Sequence, residues 1–168
     1  LGTGLGFAMA VDGCLLTNEL GSPLVPIYNR PYRDGILEDY VSKRGFLRGY
    51  EGLSVKELAE KAFGGDKEAM ARFDECGNIL GKAIAPILEK VGVNRLLLGG
   101  QISRSYELFG HSLEAALSRV PTLRKISSVS DISDATFNGL RELARRSADG
   151  EPCCADKDTD RKILEMLA

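Results

Sequence analysis

The chain has 168 residues, of which 43% are hydrophobic and 27% are charged, and its formal net charge is -2. This length and composition predict one soluble globular domain with its own hydrophobic core. The slightly acidic balance argues against nucleic acid as a partner, and no apolar stretch is long enough to cross a membrane. We therefore expect a cytoplasmic protein without a membrane partner.

The first six residues form a glycine-rich turn. Gly2, Gly4 and Gly6 carry no Cβ, so backbone N–H groups can approach an oxyanion, and the hydroxyl of Thr3 adds a further donor. This turn is a candidate phosphate-binding turn, although a tight turn that only needs positive φ fits the same spacing equally well. It differs from the dinucleotide-binding fingerprint, which opens a helix, because this turn leads into a strand.

A hairpin and a long loop follow this turn. The apolar residues 7–11 predict a strand, Asp12-Gly13 predicts the tight turn, and residues 14–17 predict the return strand. Prolines at 23, 26 and 31 exclude a regular helix from residues 18–33. We expect this loop to pack against the domain through its apolar side chains.

Helices dominate the middle of the chain. A short helix is predicted over residues 36–42, ending near Gly45. Ser54 and Glu57 form a capping box for a helix that Gly64-Gly65 ends, and Asp66 caps a long helix that runs to Gly92. Small residues within the long helix predict close helix packing, and they are Gly77, Gly81 and Ala85.

The second half alternates strands and helices. In chain order the predicted elements are a fully buried strand over residues 94–100, a helix from its cap Ser103 to Arg119, a strand over residues 123–129, a crossing loop over residues 131–134 and a helix over residues 135–148. Four residues of that last helix are expected to face inward: Phe137, Leu140, Leu143 and Ala144. The pattern predicts an α/β lobe over residues 1–148 and a polar tail over residues 149–168 with a helix at 161–167.

A second glycine turn, Gly99-Gly100, follows a predicted strand and leads into a helix. In a doubly wound lobe the two glycine turns would point the same way and could hold the two ends of one nucleotide. The alternative is a simple strand terminator, which also favours glycine.

The cysteines and the histidine form no metal-ligand pattern. Cys14, Cys76, Cys153 and Cys154 lack zinc-ligand spacing, and the only histidine, His111, is distant from all four. We expect no zinc site, two exposed thiols at Cys153-Cys154, and a surface or helix-packing role for His111.

Five short motifs in one order resemble the C-terminal half of the ROK family, which comprises bacterial sugar kinases and sugar-responsive repressors. The motifs are Leu1-Gly-Thr-Gly-Leu-Gly6, Glu19-Leu-Gly21, Leu37-Glu-Asp-Tyr-Val-Ser42, Leu97-Leu-Gly-Gly100 and Asp134-Ala-Thr-Phe-Asn-Gly139. The resemblance implies an actin-like, sugar-kinase (ribonuclease H-like) fold of two lobes, each a mixed sheet of five strands flanked by helices. This chain would be the second lobe, with the nucleotide bound between the two.

The resemblance also assigns site residues. Those matched to nucleotide binding are Gly2, Thr3 and Gly4 at the phosphates and Gly99 and Gly100 beside the adenosine. Glu19 and Glu38 match the glutamates that bind sugar hydroxyls, a role that suits carboxylates because they accept strong hydrogen bonds. From the residues alone, an exposed loop charge for Glu19 and a solvated first-turn residue for Glu38 remain alternatives.

The sequence departs from the family pattern in the long loop before the predicted helix at residues 36–42. Ser22 stands where the family has a histidine, and residues 23–34 contain no cysteine, so the family's zinc motif is absent. Either prolines and aromatic residues hold this loop, or the chain represents a branch without the metal. The lost histidine also removes one expected sugar contact.

We therefore expect the C-terminal lobe of an ATP-dependent, hexose-type sugar kinase, a transferase of carbohydrate metabolism. The catalytic aspartate and the turn that positions Mg²⁺ belong to the family's N-terminal half, so this chain alone should be inactive. The expected partners are a sugar, that N-terminal lobe and a second copy in a homodimer. The alternatives are the sugar-sensing lobe of a transcriptional regulator without kinase activity, and a dimer scaffold without ligand.

Overall fold

The computed structural model describes residues 1–129, 131–152 and 154–168. The strands are β1 (Ala10–Val11), β2 (Cys14–Leu15), β3 (Pro31–Tyr32), β4 (Gly35–Ile36), β5 (Arg95–Leu98) and β6 (Lys125–Ser128). The helices are α1 (Glu38–Val41), α2 (Lys43–Phe46), α3 (Val55–Phe63), α4 (Lys67–Val91), α5 (Tyr106–Leu117), α6 (Ile132–Asp149) and α7 (Lys157–Leu167), and a 3₁₀ turn (Gln101–Ser105) precedes α5.

Helix α4 forms the centre of the core and packs closely against α5. A Cβ on Gly77 would lie 2.4 Å from the Phe109 carbonyl oxygen, and one on Gly81 would lie 2.5 Å from Cβ of Ala116. Only glycine allows the two backbones to come this close. The predicted close packing at Gly77 and Gly81 is confirmed.

The N-terminal capping residues predicted for the middle helices α3 and α4 are confirmed. The hydroxyl of Ser54 accepts a hydrogen bond from the Glu57 N–H, and the Glu57 carboxylate accepts one from the Ser54 N–H, which completes the capping box of α3. The carboxylate of Asp66 accepts from the first turn of α4. These hydrogen bonds satisfy backbone donors that have no partner within a helix.

The strands are shorter than predicted, and they pair in three two-stranded sheets among the described residues. β1 pairs with β2 around Asp12 (φ 51°) and Gly13 (φ 78°), so the hairpin is confirmed. However, only residues 10–11 of the predicted strand 7–11 and residues 14–15 of the return strand are β-strand. The five-stranded sheet that the resemblance implies is not formed among the described residues. Before Ala10 the hairpin continues only through the Met9 carbonyl oxygen, which accepts from the Leu16 N–H at 2.9 Å.

The pair β5–β6 is parallel, as a lobe of alternating strands and helices requires, with Leu96 opposite Ile126. The prediction of a fully buried strand at residues 94–100 is wrong. Leu96 and Leu98 are buried, but Leu97 between them is 69% exposed. Successive side chains point to opposite faces of a strand, and only one face of β5 meets the core.

Helix α6 differs most from prediction. It begins at Ile132 rather than residue 135, because Asp131 caps it, and the predicted crossing loop at 131–134 is mostly helix. Its apolar stripe does not face inward: Phe137 is 70% exposed, Leu140 is 57% exposed, and no residue of α6 is buried. An apolar stripe predicts which side of a helix is able to pack, but does not supply the layer that covers it.

The tail from residue 149 carries α7, which is longer than the predicted helix 161–167. Ile163 of α7 is buried, and Nζ of Lys90 in α4 donates to the Leu167 carbonyl oxygen at 3.4 Å. Cys154 is exposed, and its backbone forms an isolated parallel β-bridge with Leu15. Cys153 lies outside the described residues. None of the helices in the described segments is long and apolar enough to span a membrane.

Candidate functional site

The two glycine-rich segments, which are nearly a hundred residues apart in sequence, meet through Leu1, the residue directly before the first of them. We call residues 2–6 the first turn and residues 99–100 the second turn. The carbonyl oxygen of Leu1 accepts a hydrogen bond from the Ile102 N–H at 3.2 Å. Gly100 has φ 92°, and a Cβ there would lie 2.2 Å from the same Leu1 oxygen. Glycine at position 100 is therefore required by both conformation and contact.

Ser103 supports the second turn rather than capping a helix. Its hydroxyl donates to the Gly100 carbonyl oxygen at 2.7 Å, and the residue is fully buried. The predicted cap of a helix starting at Ser103 is wrong, because residues 101–105 form a 3₁₀ turn and α5 begins at Tyr106. The short turn lets a buried hydroxyl fold back onto the glycine carbonyl.

The first turn presents free backbone donors to solvent. The Gly2 N–H donates to the Gly4 carbonyl oxygen at 3.2 Å, which tightens the turn. Thr3 and Gly4 are exposed, and their N–H groups have no acceptor among the described residues. Two unpaired N–H groups and a hydroxyl beside them are donors that an anionic oxygen can accept.

Glu38 lies at the start of α1, directly beneath the first turn. Its Oε2 accepts a hydrogen bond from the Leu5 N–H at 2.9 Å, and its Oε1 pairs with the guanidinium of Arg44 at 3.2 Å. A Cβ on Gly4 would lie 2.9 Å from Oε2. The structure thus brings Glu38 together with the first turn, and the Glu38 carboxylate fills the space that a side chain at Gly4 would need.

Helix α2 holds the first turn from the same direction. The Lys43 N–H donates to the Gly2 carbonyl oxygen at 2.9 Å. Arg44 binds Asp39 at 3.1 Å as well as Glu38, so it links two neighbouring carboxylates of α1. The sequence predicts one short helix from residue 36 to near Gly45, whereas the structure forms two, α1 and α2, and both contact the first turn.

Glu19 is placed differently from Glu38. It lies in an exposed tight turn in which the Asn18 side chain accepts from the N–H groups of Leu20 and Ser22, each at 3.0 Å. Glu19 makes no hydrogen bond or ion pair within the described residues. The structure contains no contact that joins it to Glu38, so its predicted sugar role stays a prediction.

Aromatic and charged side chains hold the hairpin β3–β4, where the family's zinc loop would be. The rings of Tyr32 and Tyr40 meet edge to face at 4.9 Å, and the guanidinium carbons of Arg33 and Arg48 lie 5.3 and 4.1 Å from the Tyr40 ring centre. The Tyr40 hydroxyl donates to Asp34, which lowers the pKa of that carboxyl. Such contacts between cations and rings stabilise a loop without metal.

The residues present do not fit a zinc ion. Among the described residues, no group of three or more histidine, cysteine, aspartate or glutamate side chains is arranged to hold a metal. His111 is exposed on α5. The thiol of Cys76 donates to the Tyr40 carbonyl oxygen at 3.4 Å, and burial raises its pKa to about 12, so it stays a neutral packing group.

A groove that the motifs did not predict borders the site. It has a volume of about 640 Å³ and is lined by residues 5–12 and 91–99, together with core side chains of α4. Gly99 lies on its wall, whereas Glu19 and Glu38 do not. In the sequence, the signal for it is the apolar run at residues 7–11, which predicts a strand and in the structure also lines this groove.

No protein-family model matches the sequence, and no curated protein matches it. Solved structures do match. One is a protein from Cytophaga hutchinsonii assigned as a sugar kinase, with 25% identity, a TM-score of 0.66 and coverage of 77% of this chain and 50% of that one.

Two further matches carry the family name. A ROK-family glucokinase from Streptomyces griseus, in complex with glucose and AMPPNP, has 19% identity, a TM-score of 0.61 and coverage of 76% of this chain and 53% of that one. A ROK-family transcriptional regulator, a homolog of the E. coli MLC protein, has 22% identity, a TM-score of 0.61 and coverage of 76% and 40%. This chain thus spans about half the length of the structures it matches. The resemblance to the ROK family is confirmed, and the chain has the actin-like fold of part of a ROK-family protein.

Proposed function

We propose that this chain is the C-terminal lobe of an ATP-dependent, hexose-type sugar kinase. Its two glycine turns bind the nucleotide, and Glu38 binds the sugar. The observation that supports the proposal is the contact of Leu1, the residue before the first turn, with Gly100 and Ile102, because it brings the two glycine-rich segments next to each other. The match to a glucokinase bound to glucose and AMPPNP supports this assignment.

Each residue has a distinct role in this proposal. The N–H groups of Thr3 and Gly4 and the Thr3 hydroxyl donate to phosphate oxygens, while the turn formed by Gly99 and Gly100 lies beside the adenosine. Glu38 accepts from sugar hydroxyls, for which its carboxylate keeps unused lone pairs beyond those that Leu5 and Arg44 occupy.

Bound ATP supplies the phosphoryl group, and the general base and the Mg²⁺ ligands come from chain outside these 168 residues. This lobe contributes binding and orientation of the two reactants. Positioning provides much of the catalysis in phosphoryl transfer, because the protein performs little covalent chemistry. The lobe without its partner should therefore bind nucleotide but not transfer phosphate.

A second candidate is the sugar-sensing lobe of a transcriptional regulator without kinase activity. The match to a ROK-family regulator favours it, with the same share of this chain covered as for the glucokinase. A sensor of this kind needs the sugar-binding carboxylate but not the donors of the first turn.

Calorimetric titration of the chain with ADP and with Mg-ATP tests the proposal, using valine variants of three glycines. A Cβ on Gly2 or Gly6 has no neighbour within 4 Å, and one on Gly99 only approaches Val129 at 4.0 Å. Each position therefore has space for a Cβ, and circular dichroism checks that each valine variant is folded. Gly2→Val and Gly99→Val should weaken binding by about tenfold or more by filling the nucleotide site, whereas Gly6→Val serves as the matched control.

Loss of binding in the first two variants but not in the control would support the kinase proposal. Equal loss in all three, with each variant folded, would contradict the assignment to these turns. Binding of glucose without binding of either nucleotide would favour the sensor. Gly4→Val is unsuitable for this purpose, because its side chain would also displace Glu38.

A further inference from the structure

We propose that Glu38 is a positioning residue that holds the first turn in its phosphate-binding shape and thereby couples sugar binding to nucleotide binding. This inference rests on the proposed function. It assigns to one carboxylate a second task, directed at the nucleotide rather than at the sugar.

The contacts of Glu38 support this assignment. Its Oε2 accepts from the N–H of Leu5, which directly follows the two residues with free donors, Thr3 and Gly4. Its side chain is 22% exposed, so part of it is accessible to a ligand while Oε2 is bound to the turn. The Arg44 guanidinium fixes Oε1 at 3.2 Å and so holds the carboxylate in one orientation.

Coupling follows because both ligands depend on the same side chain. A sugar hydroxyl bound to the carboxylate restricts its motion, and the ordered carboxylate restricts the turn through Leu5. The nucleotide then meets a turn that is already ordered and loses less conformational entropy on binding. Linkage requires the reverse effect as well, so the nucleotide must increase the affinity for sugar by the same factor.

Electrostatics alone predicts the opposite effect on the nucleotide. A carboxylate beside a phosphate-binding turn repels phosphate, so removing its charge should strengthen ADP binding if Glu38 had no positioning role. The two accounts therefore differ in the sign of the change, which makes substitution at this position decisive.

The experiment compares ADP binding to the wild type, Glu38→Gln, Glu38→Ala and Asp39→Asn, each with and without glucose. Gln keeps the length of the side chain and an oxygen that accepts from Leu5, whereas Ala removes the acceptor. Asp39 is the matched control, since it also pairs with Arg44 but does not contact the first turn. Amide hydrogen exchange at Leu5 reports the hydrogen bond without any ligand.

We expect Glu38→Ala to weaken ADP binding about fivefold and to speed exchange at Leu5, while Glu38→Gln restores both to near wild type. Glucose should tighten ADP binding to the wild type but not to Glu38→Ala, and Asp39→Asn should behave as wild type. Unchanged or tighter ADP binding by Glu38→Ala overturns this inference and leaves the proposed function standing. Absence of ADP binding in the wild type overturns the proposed function and this inference with it.

Discussion

Both turns are rich in glycine, but they need their glycines for different reasons. At the second turn, Gly100 has φ 92° and touches the backbone of Leu1, so the fold itself excludes a side chain. At the first turn, Gly2 and Gly6 have open space, and only Gly4 is restricted, by the carboxylate of Glu38. The glycine pattern of a motif therefore mixes structural and ligand-binding requirements, and neighbouring contacts separate them.

The largest effect is expected at Gly100. Gly100→Ala should lower the free energy of unfolding by about 3 kcal/mol, because alanine is strained at this φ and its Cβ meets the Leu1 carbonyl oxygen. Urea unfolding measures the change. Gly99→Ala is the control and should lie within about 0.5 kcal/mol of wild type, since its Cβ has open space. Equal losses in the two variants would contradict the distinction within the second turn.

A smaller loss of unfolding free energy is expected at Ser103, whose hydroxyl supports the second turn. Ser103→Ala should cost about 1.5 kcal/mol in unfolding free energy, because the Gly100 carbonyl loses a buried hydroxyl donor. The Ser103 N–H still donates to the same oxygen, which limits the cost. Ser105→Ala provides a nearby comparison, and a loss as large as that of Ser103→Ala would assign the effect to the 3₁₀ turn in general.

At the first turn, Gly4→Ala should cost about 1 kcal/mol through displacement of the Glu38 carboxylate from the Leu5 N–H. Gly2→Ala has space for its methyl group and should show no loss. In the Glu38→Ala background the cost of Gly4→Ala should disappear, as a double-mutant cycle of unfolding free energies would reveal. An undiminished cost there would assign the role of Gly4 to its own backbone.

The smallest effect concerns Cys76, which donates to the Tyr40 carbonyl oxygen of α1, the helix that carries Glu38. The pKa of this thiol is raised by burial to about 12 from an ordinary value of 9.0. Its neutral form is therefore favoured in the folded state. Its contribution to stability is complete well below pH 9, begins to fall as the pH approaches 9, and is lost as the pH rises to about 12.

Between about pH 8 and pH 9, the wild type should lose about 0.4 kcal/mol more unfolding free energy than Cys76→Ala. Unfolding curves of both proteins at the two pH values measure this loss. The titration of all other groups cancels in the comparison, because those groups are present in both proteins. A parallel decline of the two proteins would contradict the burial of this thiol against α1.

The sequence predicts the features that depend on neighbouring residues. The Asp12-Gly13 hairpin, the capping box of Ser54 and the cap at Asp66 are local, and the structure confirms them. Burial was predicted less well at Leu97 and Phe137, because periodicity identifies an apolar side but not the layer that covers it.

In the candidate site, too, local features can be predicted from the sequence, whereas contacts between distant residues cannot. The motifs predict both glycine turns and Glu38, and topology brings these together. The hydrogen bond between Leu5 and Glu38 joins residues 33 positions apart, and no local pattern predicts it. The contacts of Tyr40 with Arg33 and Arg48 were likewise unpredicted beyond the expectation that aromatic residues hold the loop.

The central claim is that the two glycine turns together bind one nucleotide. Its most direct test is to map backbone amide chemical shifts of the chain during titration with ADP. The account predicts shifts at Thr3, Gly4, Gly99 and Gly100 that saturate together with one dissociation constant. Shifts confined to other parts of the chain, or saturation of the two turns at different concentrations, would contradict it.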